Sequence, residues 1–259
     1  MRDDRLWQQF ELATGVTAMF TSRGGGVSVP PYDTLNLSGA VGDRPEDVAR
    51  NREILRTACG DTHPVTWMRQ VHGAAVSHAS AAAAGPAAAA GPAGPAGPVP
   101  DEADALFTEI PGLPLGVLVA DCAPVLIADG QARIVGAAHA GREGLAAGVV
   151  PALLSAMAAA GAAPSRMHAA VGPMICGACY EVPEQLRDLV DDAVPGAGCV
   201  TRSGTPGIDV RAGVEAQLAK AGVRSVIGDL RCTAEYPELY SYRRDGRTGR
   251  FAGVIWLAS

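Results

Sequence analysis

The stretch ADCAPVLIADGQARIVGAAHAGREGL, residues 120–145, constrains the fold more than any other. It reads as two apolar core strands joined by a turn at Ala128-Asp129-Gly130, where Asp-Gly is a strong hairpin signal. Core strands rarely carry ionisable groups, yet this pair holds Asp121 and Cys122 at one end and His139 at the other. A hairpin folds its two ends together, so Cys122 and His139 can meet. The apolar strands would then supply rigidity and exclude water, and the polar ends would supply a site.

The rest of the chain supplies shorter elements. β-like pieces are expected around 15–20 and 65–71. Between them, GDRPEDVARNREILRTACG puts Val48, Asn51, Ile54, Leu55 and Ala58 on one helical face, with Asp43 or Pro45 as the start. Strands are expected at HAAVGPMI, RSVIGDL and RFAGVIWL, and helices at PEQLRDLVDDA and IDVRAGVEAQLAKAG. The elements interleave without a regular βαβ rhythm, which favours an α+β fold with mixed β-sheets flanked by helices over a doubly wound one. Residues 79–100 are an Ala/Gly/Pro-rich run whose Gly-Pro pairs break any helix, and they read as a flexible surface loop. The uncharged run 144–165 raises a membrane question. Its Ala and Gly content and Pro151 and Pro164 argue instead for a buried helix over about 151–160.

Composition excludes several functions. The net charge is -6 and no Lys/Arg block exists, so nucleic acid is not an expected partner. Lys220 is the only lysine, which removes a Walker-type loop and leaves Schiff-base chemistry with one candidate at an ordinary helix end. The N-terminus has no apolar signal region, so a cytoplasmic protein with reduced thiols is expected. Arg243, Arg244, Arg247 and Arg250 form either a solvated hairpin or an anion-binding edge. Oligomeric state carries no sequence signal.

Three residues carry the sharpest chemistry. His72, in QVHG, together with Cys122 and His139 would make a His₂Cys metal set with an open fourth position, the pattern of catalytic zinc. Such a zinc lowers the pKa of bound water to about 7. Two other readings stand beside it. Cys122 is a small core residue with hydrogen-bonded histidines nearby, or Cys122 is a nucleophile with a histidine base. CGAC, Cys176 to Cys179, is a lone C-x-x-C without a second pair, since Cys199 and Cys232 are single. TSRGGGVS either offers backbone N–H groups to an anion or is simply a tight loop. His63, His78 and His168 have no visible partners.

Taken together, SRGGGVSVPPYDTLNL, GDRPEDVARNREIL, RQVHGAAV, EADALFTEIPGLPLGVLVADCAPVLIAD, AAHAG, VGPMICGACYEV, DLRCTAE and YSYRRDGRTGR resemble the laccase-domain family. This family is also called the polyphenol oxidase or purine nucleoside phosphorylase family, and it includes peptidoglycan editing factors. The resemblance implies a single domain over 1–259, with 79–100 as an inserted loop. It implies that His72, Cys122 and His139 bind zinc and act in catalysis; attack of a zinc hydroxide on C6 of adenine would also need a proton donor, for which Asp121 is the candidate. It also puts Arg23, Asn36, Gln70, Tyr180, Arg243 and Arg244 in motifs that look like the pocket rim. One motif departs: the family's HAGWRG is HAGREG here, so Arg142 and Glu143 replace a Trp-Arg pair. The implied activities are phosphorolysis of purine nucleosides (adenosine, inosine, guanosine or methylthioadenosine) and deamination of adenosine, with a nucleoside and phosphate as partners and no membrane. A Cys-His amidase editing a cell-wall precursor and a non-catalytic, metal-stabilised binding protein are the alternatives. Zinc is favoured over copper, because a multicopper site needs many imidazoles and the chain has five histidines.

Overall fold

The computed structural model describes residues 7–60, 63–79, 102–223 and 225–259. Two mixed sheets form its centre. The first takes β1 (Trp7–Ala13), β2 (Val16–Thr21), β3 (Thr66–Trp67), β6 (Leu115–Val119) and β13 (Phe251–Leu257), in the order β1-β2-β13-β6-β3. Only the β3–β6 pair is parallel. The second takes β4 (Val76–His78), β5 (Ala105–Thr108), β7 (Ala123–Asp129), β8 (Ile134–Ala140), β9 (His168–Val171) and β12 (Ser225–Gly228), in the order β12-β9-β7-β8-β5-β4. Its two edge pairs are parallel and its middle is antiparallel. A small ribbon, β10 (Gly198–Val200) with β11 (Pro206–Ile208), stands apart.

The sheets pack face to face, and helices cover the outer faces. Period-two alternation decides which side chain goes where. In β7, Leu126 and Ala128 face the other sheet, where they meet Phe20, Val117 and Phe251. Val125 and Ile127 face helices α2 (Arg142–Ala147) and α3 (Val149–Ala159) and the helix Val210–Lys220, through Leu145, Leu153, Met157 and Val214. A strand buried on both sides needs apolar residues at every position, which is why β7 and β8 read as unbroken apolar runs. The first sheet's outer face sets Met19, Val254 and Trp67 against Leu55 of α1 (Pro45–Ala58). This is the expected α+β architecture of mixed sheets flanked by helices.

Helix α1 begins at Pro45, with Glu46 and Asp47 in its first turn and Arg56 in its last, as the helix dipole favours. Asp43 does not start it; its carboxylate instead accepts from Ser28, Asn36 and the Arg44 N–H. The run 144–165 is two helices broken at Gly148, whose φ of 81° suits glycine. The second starts at Val149 rather than Pro151 and is buried along Val149, Val150, Leu153, Leu154 and Met157. Among the described residues, no helix is long and apolar enough to cross a membrane. The segment expected at 65–71 pairs only at Thr66 and Trp67. Beyond them the Gln70 side chain takes over the pairing, donating to the Leu118 carbonyl at 2.8 Å and accepting the Leu118 N–H at 2.9 Å. Of the Ala/Gly/Pro-rich loop, Ala79 is buried and hydrogen-bonded to Phe107 and Thr108, and 80–100 lie outside the described residues.

Candidate active site

The β7–β8 hairpin closes as its sequence requires. Asp129 accepts the N–H groups of Gln131 and Ala132, which turns the chain over Gly130–Arg133. At the opposite end Pro124 pairs with His139 and Ala123 with Ala140, which brings Cys122 beside His139. His72 arrives from the loop after β3, and its ring meets that of His139 edge to face at 4.7 Å. The ligand atoms of His72, Cys122 and His139 all lie within 4.8 Å of one another. Three such atoms share a point no more than about 2.8 Å from each, so a small contraction reaches zinc–ligand bonds of about 2.0–2.3 Å. Two imidazoles and a thiol suit a borderline-soft divalent ion such as zinc.

Asp104 organises this trio; it lies in the EADALFTEI motif, but the motif alone assigned it no role. Fully buried at the start of β5, its carboxylate accepts the Nδ1–H of His139 at 2.8 Å. It also accepts the backbone N–H groups of Val71, His72 and Gly73, at 3.1, 3.0 and 2.7 Å. One carboxylate therefore fixes the His139 tautomer, leaving Nε2 as the free lone pair, and clamps the loop that presents His72. Burial pushes Asp104 upward, but these donors outweigh it and hold the carboxyl below its ordinary range. Burial also lowers the pKa of His139, which keeps it a neutral ligand. The positive φ values of His72 (62°) and Asp121 (89°) are backbone conformations that non-glycine residues rarely adopt. A Cβ on Gly141 would come within 2.9 Å of the His72 ring and 3.0 Å of the Cys122 sulfur, so glycine is required where the helix α2 begins.

Burial, reinforced by the nearby Asp121 charge, pushes the Cys122 thiol up to about 12. Its sulfur is 3.9 Å from His72 Nε2, a long contact for a nucleophile–base pair. A divalent cation on the same atoms would hold the sulfur as thiolate.

The trio opens into a cavity of about 890 Å³. Arg52, Arg69, Arg142, Arg243 and Arg250 line it, and Asp121 is the only acidic side chain among the described lining residues. Gln70 and Tyr180 also reach it. Gln70, however, spends its amide on Leu118. Arg243 lies 5.0 Å over the Tyr180 ring and donates to the Glu181 carbonyl. Burial lowers Arg250, and brings Arg52 down to about 10.

Arg23, Asn36 and Arg244, the other expected rim residues, are not in the cavity wall. Arg23 is bound to Asp33 at 3.0 Å and stacks on Tyr240. Fully buried Asn36 accepts the Arg250 N–H. Arg244 donates to the carbonyls of Thr233, Tyr236 and Leu239 and pairs with Asp245. Arg52 and Arg69 take places on the wall that the sequence did not give them, and Arg250 joins them from the run whose sequence left a solvated hairpin or an anion-binding edge open. The Asp121 carboxylate accepts from Thr233 at 2.6 Å, Ser241 at 2.7 Å and the Arg243 N–H at 2.7 Å. Three donors on one carboxylate suit a positioning anion better than the expected proton donor. Glu143 is ion-paired with Arg142. The Gly-rich TSRGGGVS is a tight loop: Thr34 and Asn51 take the N–H groups of Gly26 and Val27.

The other three histidines are engaged elsewhere, with Gly112, Glu109 and Ser225. Cys176 and Cys179 fall in a cluster separate from the trio, so neither closes it as a fourth ligand.

The family described as multi-copper polyphenol oxidoreductase laccase matches residues 17–258. A protein of Streptomyces griseus named purine nucleoside phosphorylase is 52% identical over 239 residues, covering 92% of this chain and 93% of its own. One of Streptomyces coelicolor with the same name is 49% identical over 250 residues, covering 96% and 98%. Among solved structures, YlmD from Geobacillus stearothermophilus superposes with a TM-score of 0.85 at 30% identity, covering 100% of this chain and 98% of its own. With the match running over nearly the whole length, the chain belongs to the multi-copper polyphenol oxidoreductase laccase family.

Proposed function

We propose that this protein is a zinc-dependent purine nucleoside phosphorylase whose metal is held by His72, Cys122 and His139. The observation that carries the reading is the opening of this ligand trio into an arginine-lined cavity of about 890 Å³. That volume suits a nucleoside with phosphate beside it. The purine nucleoside phosphorylase name of the Streptomyces relatives supports the same reaction.

In phosphorolysis a phosphate oxygen attacks C1′ of the ribose and the base departs from it. Arg243, Arg142 and Arg250 bind and orient the phosphate, neutralising charge in a partly buried wall. Asp121 holds the Arg243 backbone so that its guanidinium stays over Tyr180. Asp104 keeps His139 neutral and aimed, and the apolar hairpin behind excludes water. When bound, the metal supplies Lewis acidity, and for adenosine deamination an activated water at C6. Adenosine, inosine, guanosine and methylthioadenosine are the substrates, and the chain acts in the cytoplasm.

The Cys-His amidase reading is weaker, because Cys122 is 3.9 Å from His72 and its thiol is pushed up. The non-catalytic reading is weaker because the trio faces a cavity. The test incubates purified, metal-analysed protein with each nucleoside, with and without phosphate, and separates the products by chromatography. Release of free base and a pentose 1-phosphate only when phosphate is present is expected. Zinc-loaded protein that turns over none of them would overturn the proposal.

A further inference from the structure

Away from the trio, two short turns of the same form face each other. In the first, the N–H groups of Cys179 and Tyr180 donate to the Cys176 carbonyl, at 2.9 and 3.0 Å. In the second, those of Glu235 and Tyr236 donate to the Cys232 carbonyl, both at 3.0 Å. Each turn brings the side chains of its first and fourth residues to one side, so C-x-x-C meets C-x-x-E. A parallel bridge between Met174 and Cys232, with the Thr233 N–H on the Met174 carbonyl at 3.0 Å, locks the turns together. The Cys176 N–H points at the Cys232 sulfur from 3.3 Å, and the Cys179 sulfur is 3.6 Å from a Glu235 oxygen. All four ligand atoms lie within 4.8 Å of one another. Arg202 is 2.5 Å from Glu235 and offsets part of the negative charge.

We propose that Cys176, Cys179, Cys232 and Glu235 form a second, structural metal site that takes a thiophilic divalent cation such as zinc. Three sulfurs and a carboxylate offer four donors, enough to fill the coordination of a tetrahedral ion without an open position, in contrast to the trio at the cavity. A disulfide would use two of the sulfurs and leave the third and the carboxylate facing each other. The position gives the site a purpose. Tyr180, next to Cys179, lines the cavity, and Thr233, next to Cys232, donates to Asp121. One ion would therefore cross-link the two segments that shape that side of the cavity, 56 residues apart in sequence.

The test measures metal content in the full chain, purified under reductant from zinc-supplemented cells. Wild type should hold two equivalents, Cys122→Ala one, and the Cys176→Ser/Cys179→Ser double variant one. Cobalt loaded into Cys122→Ala should give sulfur-to-cobalt charge-transfer absorption about three times as intense as that of the double variant carrying Cys232→Ser as well, which keeps Cys122 as its one thiol in either ligand cluster. Metal lost by the cysteine-pair variant but kept by Cys122→Ala supports this site whatever becomes of the trio. If the pair variant fails to fold, the cobalt spectrum of Cys122→Ala decides. Cys122→Ala protein without bound metal, or a Cys176–Cys179 disulfide in protein kept reduced, would overturn the proposal.

Discussion

Asp104 and His139 meet at 2.8 Å with neither side chain open to solvent, and the same carboxylate gathers three N–H groups of the loop bearing His72. The His72, Cys122 and His139 trio is thus assembled from behind by a residue outside it. Asp104→Asn keeps the shape but cannot satisfy the same four donors. Metal affinity, measured by competition with a chromophoric chelator, should fall about 10–100-fold. Unchanged affinity would mean that the loop holds itself.

Gly141→Ala tests the tightness of the same assembly. The added methyl would sit 2.9 Å from the His72 ring and 3.0 Å from the Cys122 sulfur. His72 must swing aside, since the strands behind Cys122 cannot move. The expected result is a fall in metal content and kcat with little change in melting temperature.

Arg243→Ala and Arg244→Ala separate binding from building. Arg243 faces the cavity, whereas Arg244 ties together three carbonyls of the loop beneath it. Losing a charge-assisted contact worth about 1.5–3 kcal/mol should raise the phosphate KM roughly 10–150-fold in Arg243→Ala. Arg244→Ala should lower the melting temperature instead. Equal phosphate KM values in Arg243→Ala and wild type would remove Arg243 from the anion site.

Asp129 gives a pH dependence remote from the His72, Cys122 and His139 trio. It is fully buried, accepts the N–H groups of Gln131, Ala132 and Ala163, and pairs with Arg166. Burial raises its pKa, but the donors more than reverse this and leave the folded-state value lowered. The unfolded chain therefore takes up this proton first as pH falls. Its stabilisation is whole above about pH 5 and drains away below about pH 4. Asp129→Ala should cost about 2–4 kcal/mol in urea unfolding at pH 7, with the gap to wild type closing toward pH 3. A gap independent of pH would assign the loss to packing alone.

The hairpin, helix α1 and the helices and strands of the second half were legible in sequence because each has its own period or turn residue. The trio was legible because histidine and cysteine are out of place beside apolar strands. Asp104 was not, since an aspartate ahead of an apolar run looks like an ordinary turn residue. Nor was Cys232 as a partner for CGAC, because only the Met174–Cys232 bridge brings them together. The arginines divided unpredictably for a similar reason. Whether a guanidinium faces a cavity or a row of carbonyls depends on loop paths that carry no periodicity.

Strand β13 lies between β2 and β6, pairing Gly253 with Phe20 on one side and Phe251 with Val119 on the other. During synthesis the early strands must wait, with their edges open, for one of the last segments to leave the ribosome. Arg250 of the cavity wall immediately precedes that strand. A nascent chain, or one clipped just before residue 250, therefore lacks both the strand that closes the sheet and the last arginine of the cavity wall, so the two are completed together.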